Sequence, residues 1–265
     1  MAHPPIENLI AHWKMNDNAA DTTVVDNRGY ANGVWTRNTS NDSVAGQVNL
    51  ALNCGAGANY ADMGDKCAFE YNQPFSICAW VKPGTNSQYG RIFCKEDGTF
   101  GQGYFCSASN FDNNASLLQV KGAWPADTTA QCIFFGVHYS GVWAHCVWTY
   151  DGSNDKNGLN LYKNGVKVTN VRRDGSGVIG TIQTTQSACI GARSDNSQKF
   201  NGVVDDVRLY NIELTQDQID TIYNGGAGTE DEADINVSED DVRYGVEWFI
   251  DSALNPNDVR YGVDY

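Results

Sequence analysis

Residues 159–168 of the chain, LNLYKNGVKV, decide the fold class more than any other short stretch. Leu159–Tyr162 and Val166–Val168 are two short apolar runs, and Asn164-Gly165 separates them. This pair tolerates the positive φ angles of a type I′ turn, whose twist matches that of the flanking strands. The stretch therefore predicts a β-hairpin.

Similar strand signals recur along the sequence at short spacing. Residues 75–83 (FSICAWVKP) form an apolar run that stops at a Pro-Gly pair. Residues 91–109 (RIFCKEDGTFGQGYFCSAS) predict two strands joined by a Gly-rich turn. The 265 residues include 27 glycines and 11% aromatic residues, a composition typical of many turns and short strands. These patterns indicate β structure, in one large domain or in two smaller ones.

One helix is predicted within LTQDQIDTIYNGG at 214–226. Thr215 and Gln218 have the spacing of a capping box, and the Asn-Gly-Gly that follows is typical of a helix C-terminus. The remaining sequence predicts strands and loops. We therefore expect an all-β, antiparallel sandwich of two packed sheets with one short C-terminal helix. The apolar residues at helical spacing are Ile219, Ile222 and Tyr223.

The sequence holds eight cysteines, an even number that is compatible with disulfides. No two of them have the C-x-x-C spacing of a zinc ribbon or a redox motif. Most lie inside apolar runs, so we expect buried free thiols that pack as small hydrophobic side chains. Disulfides would need an oxidising compartment and stay open as the alternative. The positions are Cys54, Cys67, Cys78, Cys94, Cys106, Cys132, Cys146 and Cys189.

Negative charge is concentrated towards the C-terminus. The formal net charge is −14, and residues 229–265 hold eleven acidic residues against two arginines. This charge repels phosphate backbones, which argues against nucleic-acid binding and favours a cation such as calcium. The sequence shows neither a secretory signal nor an apolar stretch long enough to span a membrane. We expect a chain made in a cytoplasm, or one whose signal has been removed, without membrane insertion.

Four segments together carry a family resemblance. They are LIAHWKMNDNAADTTVVDNRGYANGVW at 9–35, FSICAWVKP with Trp80, GVWAHCVWTYDG followed by LNLYKNGVKV, and CIGARSDNSQKFNGVVDDVRLYNIELTQDQIDTIY at 189–223. In this order they resemble laminin G-like modules of the concanavalin A-like superfamily, over about residues 8–224. The resemblance implies a jelly-roll domain at 1–227 and leaves 228–265 as a separate acidic tail. This fold hosts enzymes, lectins and structural modules, so the resemblance leaves function open.

The resemblance also implies a calcium site between an early Asp-rich loop and the last strand. Carried over position by position, it places the ligands at Asp26, Gly29, Asn32 and Asp205. Carboxylate, amide and carbonyl oxygens are the ligands that calcium prefers. Two alternatives stay open: Asp26 and Asn32 shape a turn, and Asp205 or its neighbour Asp206 pairs with an arginine.

Catalytic motifs are sparse in the sequence. Glucanases of the superfamily usually carry an E-x-D-x-x-E type signature in an apolar strand. The predicted domain at 1–227, which we call the body, has no such string. His145 and Cys146 are adjacent, so on a strand their side chains point to opposite faces and cannot act as a nucleophile and its base. We expect a protein that is not an enzyme.

A glycan-binding surface is predicted in the polar loop stretch at 109–129 (SNFDNNASLLQVKGAWPADTT). Trp124 has the flat ring that stacks on sugars, while carboxylate and amide side chains bond sugar hydroxyls. Ordinary polar loops around a partly buried tryptophan are the alternative. The candidate ligand-binding residues are Trp124, Asp112, Asn113, Asn114 and Tyr89.

The block DVRYGV occurs twice in the tail, at 241–246 and 258–263. Its alternation of apolar and charged residues is typical of a strand, which needs a sheet edge on its own body or on a neighbouring subunit. A disordered acidic tail is the alternative. The block resembles the endings of some phage and environmental bacterial surface proteins. The predicted docking residues are Val242, Arg243, Tyr244, Trp248, Arg260 and Tyr261.

Taken together, these features lead to two hypotheses of different classes. The first is a non-catalytic structural or attachment protein of a surface assembly, such as a phage or virus particle, whose tail docks to other subunits as a decoration or fibre protein does. The second is a calcium-dependent, glycan-binding lectin-like module of a cell-surface or secreted protein. Both place the protein on a virion or an extracellular surface.

Overall fold

The computed structural model describes residues 4–55, 59–85, 89–98, 101–109, 114–123, 128–178 and 180–232. Within these ranges the chain forms two antiparallel sheets that face each other across an apolar core, which confirms the predicted all-β sandwich. Numbered along the chain, the strands are β1 (Leu9–Trp13), β2 (Thr23–Val24), β3 (Gly33–Trp35), β4 (Ser43–Ala45), β5 (Leu50–Asn53), β6 (Ala61–Asp62), β7 (Phe75–Pro83), β8 (Gly90–Glu96), β9 (Gly103–Ala108), β10 (Ser116–Lys121), β11 (Thr129–Phe134), β12 (Ala144–Tyr150), β13 (Leu159–Lys163), β14 (Val166–Lys167), β15 (Val171–Gly175), β16 (Cys189–Ile190) and β17 (Gly202–Tyr210).

The two sheets join strands that are far apart in the chain. Sheet A has the order β14-β13-β12-β7-β17-β5-β4, with β1 also paired to β17. Sheet B has the order β15-β11-β10-β9-β8-β16-β6-β3-β2. One edge of β17 pairs with β7, while its other edge pairs with β5 at 203–204 and with β1 at 207–210. The last strand of the body therefore lies in the middle of sheet A.

The core lies between the sheets, because the alternation of each strand sends every second side chain inward. Trp13, Trp35 and Trp148 are buried there together with Phe75 and Phe93. Truncating one such ring to alanine typically costs about 3–5 kcal/mol of folding free energy. This packing makes the sandwich a rigid support for the loops at its ends.

The two local predictions made from turn and cap residues are confirmed. Asn164 and Gly165 have φ angles of +51° and +77°, as a type I′ turn between β13 and β14 requires. The helix α1 spans Gln216–Tyr223 and begins with the predicted capping box, in which the Thr215 hydroxyl accepts from the Gln218 N–H. The apolar side of α1 packs on the outer face of sheet A.

All eight cysteines lie within the described residues, and all are buried with free thiols, as predicted. No helix in the described ranges combines the length and the apolar character that a membrane span needs.

The body continues past the domain border predicted at residue 227. Residues 228–232 pack on it and are bonded to it by several side chains described below. The following residues, 233–265, lie outside the described part of the chain. This range contains the predicted docking residues, which are Val242, Arg243, Tyr244, Trp248, Arg260 and Tyr261.

Candidate functional site

The carboxylate of Asp26, the first predicted calcium ligand, is fully engaged with the backbone. Each of its two oxygens accepts two N–H groups over 2.8–2.9 Å. A carboxylate offers about four lone-pair positions, so these four bonds fill them. Asp26 therefore shapes the loop, which was the alternative to metal binding. The donors are the backbone N–H groups of His12, Arg28, Tyr30 and Ala31.

The other predicted calcium ligands have separate tasks. The Asn32 side-chain oxygen accepts from the Asp26 N–H over 2.8 Å, and Gly29 has a φ of +71°, which suits a tight turn. Asp205 lies on β17 and accepts through Oδ2 from the N–H groups of the 47–48 turn. In the described ranges no three His, Cys, Asp or Glu side chains gather closely enough to hold a metal ion. The arrangement does not fit a calcium ion on Asp26, and calcium binding stays a prediction.

A buried polar group, missed as a unit by the sequence prediction, lies on the outer face of sheet A. We name it the β17 cluster, formed by His12, Asp205, Asp206 and Arg208, all less than 2% exposed. Asp206 is the extra residue of a β-bulge and has a φ of +46°, so both aspartates face the same way. Asp206 Oδ1 contacts His12 Nε2 at 2.6 Å and accepts from Arg208 Nε at 3.1 Å. The alternative that Asp206 pairs with an arginine is confirmed.

The two aspartates of the β17 cluster differ in pKa. Burial raises the pKa of Asp206, but the charge of Arg208 and the contact with His12 outweigh it and bring the pKa to about 2. Burial raises the pKa of Asp205 to about 8, with repulsion from Asp206 adding to the effect. Asp205 Oδ1 has no hydrogen-bond partner among the described residues. At neutral pH the cluster therefore holds one ionised and one largely protonated carboxyl group.

Residues 229–232, which we name the exit segment, close over this cluster. Arg208 donates to the carbonyl oxygens of Thr229 and Asp231. His12 Nδ1 meets Glu232 Oε1 at 2.9 Å, and Arg28 donates to the other oxygen of Glu232 at 3.3 Å. The hydrogen bond from His12 lowers the pKa of Glu232. The start of the acidic tail is thus fastened to the first strand and to the last.

Three rings pack beside the cluster under the C-terminal helix. The Trp80 and His145 ring centroids are 5.0 Å apart, and Tyr223 of α1 lies 5.8 Å from each. Burial lowers the pKa of His145 to about 4, so its imidazole is neutral at pH 7. Cys146 points into the main core instead, as the strand alternation predicts. His145 and Cys146 therefore do not form a nucleophile–base pair.

Three carboxyl groups among the described residues have raised pKa values: Asp205 on sheet A, Glu96 on sheet B and Asp17 in the loop between β1 and β2. Besides Asp205 on sheet A, burial raises the pKa of Glu96 on sheet B, although Arg91 Nε lies 2.5 Å from its carboxylate. A glycosidase needs two carboxyl groups on either side of one bond, about 5–10 Å apart. Asp205 and Glu96 are therefore not such a pair.

An open groove of about 480 Å³ lies where β10, β11 and β15 begin or end. Tyr139 is 47% exposed at its rim, and Lys163 Nζ lies 4.8 Å from the centre of its ring. The same ammonium group donates to the Gly136 carbonyl oxygen at 3.2 Å. We name this the Tyr139 groove; its lining residues are Asn114, Phe135, Gly136, Tyr139 and Asn170.

Backbone hydrogen bonds hold the groove in shape. The Asn114 carbonyl oxygen accepts from the N–H groups of Val137 and His138, at 2.7 and 3.0 Å. The Phe135 N–H donates to the Asn170 carbonyl oxygen at 3.0 Å. These bonds fix the backbone positions of Asn114, Phe135 and Asn170 at the groove. Such preformed placement lowers the entropy lost on binding.

One of the predicted glycan-binding residues, Asn114, lines this groove. Tyr89 is not among the lining residues; its carbonyl oxygen accepts from Arg91 Nη1 at 3.2 Å. Trp124, Asp112 and Asn113 lie outside the described residues. The sequence prediction missed Tyr139. A signal for it was present in GVHYSG, where a glycine on each side of the tyrosine is typical of a short, tight loop.

Several solved structures share this fold at low sequence identity. Domain 4 of AbnA, a GH43 extracellular arabinanase from Geobacillus stearothermophilus solved with arabinotriose, is 20% identical, with a TM-score of 0.55 over 83% of this chain and 98% of that one. The binding domain of Paraclostridial Mosquitocidal Protein 1 is 17% identical, with a TM-score of 0.57 over 83% of this chain and 52% of that one. Trypanosoma rangeli sialidase is 18% identical, with a TM-score of 0.57 over 86% of this chain and 35% of that one.

The chain thus spans nearly all of the arabinanase domain, about half of the toxin domain and a third of the sialidase. No curated protein matches it. A family model described as the concanavalin A-like lectin/glucanases superfamily, of the laminin G type, matches residues 55–220. The match covers well over half of the chain and agrees with the two-sheet topology. The chain belongs to the concanavalin A-like lectin/glucanases superfamily.

Proposed function

We propose that this domain is an attachment module that binds carbohydrate in the Tyr139 groove. The observation that carries the proposal is the exposed Tyr139 ring in a groove that Asn114 and Asn170 also line. An aromatic ring offers an apolar face to the C–H groups of a sugar. The amides of Asn114 and Asn170 each supply donors and an acceptor for neighbouring hydroxyl groups.

The fold comparisons support this proposal in a general way. One structure of similar fold contains arabinotriose, and another is the binding domain of a toxin. A sandwich of similar fold therefore serves ligand binding in other proteins. We propose a ligand of the neutral oligosaccharide class, since the Lys163 ammonium group beside the rim already lies over the Tyr139 ring and bonds a carbonyl oxygen.

Glycan-array binding with Tyr139 variants tests the proposal. We expect the wild-type protein to bind a subset of glycans, and Tyr139→Ala to weaken binding by ~1–3 kcal/mol, as loss of an aromatic anchor typically does. Tyr139→Phe keeps the ring and should retain most of the affinity. Tyr30→Ala is the matched control, because Tyr30 is similarly exposed at 44% and does not line the groove. Absence of glycan binding, or equal losses in the two alanine variants, would contradict the proposal.

Two further experiments test whether the predicted binding loop and calcium take part in glycan binding. If the loop at 109–129 takes part, Trp124→Ala also weakens binding to the same glycans. Running the array in calcium and again in EDTA shows whether binding depends on the ion. Because Asp26 is occupied by backbone donors, we expect the same hits in both buffers.

We further propose that the module attaches without catalysing a reaction. The separation of Asp205 and Glu96 on different sheets supports this. Incubating the protein with the glycans that it binds should leave them unchanged in mass over a day. Release of a smaller sugar, abolished by a carboxylate variant, would overturn this part of the proposal.

Assembly into a larger surface particle, such as a phage or virus, is our second proposal. The exit segment supports it, because its contacts with Arg208 and His12 hold residues 229–232 at a defined place on the sandwich. A docking arm benefits from such a fixed origin, which raises the effective concentration of its binding residues near the body. The full chain should then self-associate or capture a particle subunit, and a chain ending at residue 232 should not. Equal self-association and equal capture of a subunit by the two chains would contradict this second proposal.

A further inference from the structure

Cys94 and Cys189 face each other across two neighbouring strands of sheet B. They are direct partners in the antiparallel register of β8 and β16. Directly opposite residues have Cα atoms about 4.5–5.5 Å apart, which lies within the range of about 4.4–6.8 Å that disulfides span. Both side chains belong to the small apolar cluster on the outer face of the sheet, away from the main core. The Cys94 thiol donates to the Ala192 carbonyl oxygen at 3.2 Å, and the Cys189 thiol donates to the Ser187 carbonyl oxygen at 3.8 Å.

The other six cysteines lack this arrangement in the described strands. Cys106 pairs with Phe93 and Leu118, and Cys132 with Leu118 and Arg173. The strand partners of Cys78 and Cys146 are not cysteines either. Among the described registers, β8 and β16 are therefore the one place where two cysteines meet.

We propose that Cys94 and Cys189 form a disulfide when the chain folds in the presence of a disulfide oxidant of the glutathione type. The thiolate of one cysteine attacks oxidised glutathione, forms a mixed disulfide and releases one glutathione thiolate. The second cysteine, after losing its proton, attacks the protein sulfur of that mixed disulfide and releases the second glutathione. Two protein thiols are oxidised by two electrons, and one glutathione disulfide is reduced to two thiols.

The timing of this reaction follows from burial. Both residues are completely buried in the folded domain. Burial and the contact with Cys189 raise the pKa of the Cys94 thiol well above its usual range, so the folded form holds little thiolate to react. The exchange therefore takes place before sheet B has closed, and the finished disulfide is shielded from reductants.

The position of the bond gives it a structural consequence. Strand β16 has two residues, yet it joins β8 on one side to β6 on the other. In the order of sheet B it connects the strands β15-β11-β10-β9-β8 to the strands β6-β3-β2. A covalent bond between Cys94 and Cys189 would fasten β16 to β8, where the register holds two residue pairs.

Refolding the full chain from urea tests the proposal. One sample refolds with oxidised and reduced glutathione, and the other with an excess of dithiothreitol. In the first we expect six titratable thiols of the eight after denaturation, and a tryptic map that joins the peptides of Cys94 and Cys189. In the sample refolded with dithiothreitol we expect all eight thiols to be titratable. Eight free thiols after oxidative refolding, or a bridge between another pair, would overturn the proposal.

Single variants separate this pair from general oxidation. Cys94→Ala and Cys189→Ala should each keep all seven of their thiols under the oxidising condition. Cys132→Ala, a control on a neighbouring part of sheet B, should still lose two and keep five. Should an alanine variant fail to fold, the peptide map of the wild-type chain decides on its own.

Discussion

His12 and Glu232 are joined by a hydrogen bond of 2.9 Å between Nδ1 and Oε1, although 220 positions separate them in the chain. The other ring nitrogen of His12 contacts Asp206 at 2.6 Å. One imidazole therefore lies between two carboxylates that belong to distant segments of the chain. The first strand, the last strand and the start of the tail thus meet at one side chain.

Removing the charge of Glu232 should loosen the exit segment. Glu232→Gln replaces a charged acceptor with a neutral amide. Hydrogen bonds to a charged group contribute about 1.5–3 kcal/mol when buried, and less at this half-buried position. We expect faster proteolytic cleavage after residue 228 and an almost unchanged melting temperature of the body. Glu7→Gln, at an exposed carboxylate, is the matched control. Equal cleavage of both variants would show that the bond does not hold the segment.

The same contact should respond to acid. The pKa of Glu232 is lowered, chiefly by the hydrogen bond from His12. A carboxyl group with a lowered folded-state pKa contributes stability above its ordinary pKa of about 4.3, and this contribution is lost as the pH falls through the folded value. Cleavage after residue 228 should therefore accelerate below about pH 4 in the wild-type protein. The acceleration should be smaller in Glu232→Gln.

Gly228 should tolerate no side chain. A Cβ atom there would lie 2.4 Å from Val48 Cγ2 and 2.9 Å from Trp80 Nε1, and its φ is +68°. Gly225 has a similar φ of +60° but has nothing within 4 Å of the same position. Both alanine variants carry the backbone strain of about 1 kcal/mol, and Gly228→Ala adds the steric clash. Urea unfolding should rank wild type above Gly225→Ala and Gly225→Ala above Gly228→Ala.

Asp26 should stabilise the body as an acceptor of N–H groups. Asp26→Asn turns one oxygen that accepts two backbone N–H groups into a donor, which leaves buried donors unpaired at about 1–3 kcal/mol each. We expect a clear fall in the urea midpoint, of the same size in calcium and in EDTA. Asp21→Asn, whose wild-type carboxylate has one backbone bond, should have little effect. A loss confined to the calcium buffer would instead establish Asp26 as a metal ligand.

Asp205 should make the protein less stable as the pH rises. Burial raises its pKa to about 8, so the unfolded chain loses this proton near pH 4 while the folded chain keeps it. The stability that it contributes is full below about pH 4 and is lost as the pH rises through the folded value of about 8. The urea midpoint of Asp205→Asn should change less between pH 5 and pH 8 than that of the wild type. Equal changes of the urea midpoint in the two proteins would contradict the raised pKa of Asp205.

Local signals in the sequence are sufficient for the elements whose geometry depends on adjacent residues. Asn164-Gly165 predicts its hairpin because two consecutive positive φ angles exclude most other residues. Thr215 and Gln218 predict the start of α1 because the capping box is a contact within four residues. Neither depends on the rest of the fold.

The β17 cluster depends on distant residues, so it could not be predicted as a unit. The bulge at Asp206 brings both aspartates to one face, whereas the regular alternation of a strand would place them on opposite faces. The exit segment adds contacts to Arg208 from beyond the expected border. Likewise, the Tyr139 groove combines residues from three separate loops, of which the polar stretch at 109–129 indicated one.

The pairing of β1 with β17 also governs the order of folding during synthesis. Among the described strands β1 pairs with β17 alone, and β7 pairs with β17 along one of its two edges. A growing chain therefore holds these edges open until residues 202–210 have left the ribosome, and such contacts between distant segments form slowly. Chains that stop before residue 202 should aggregate through their exposed strands rather than form half a sandwich.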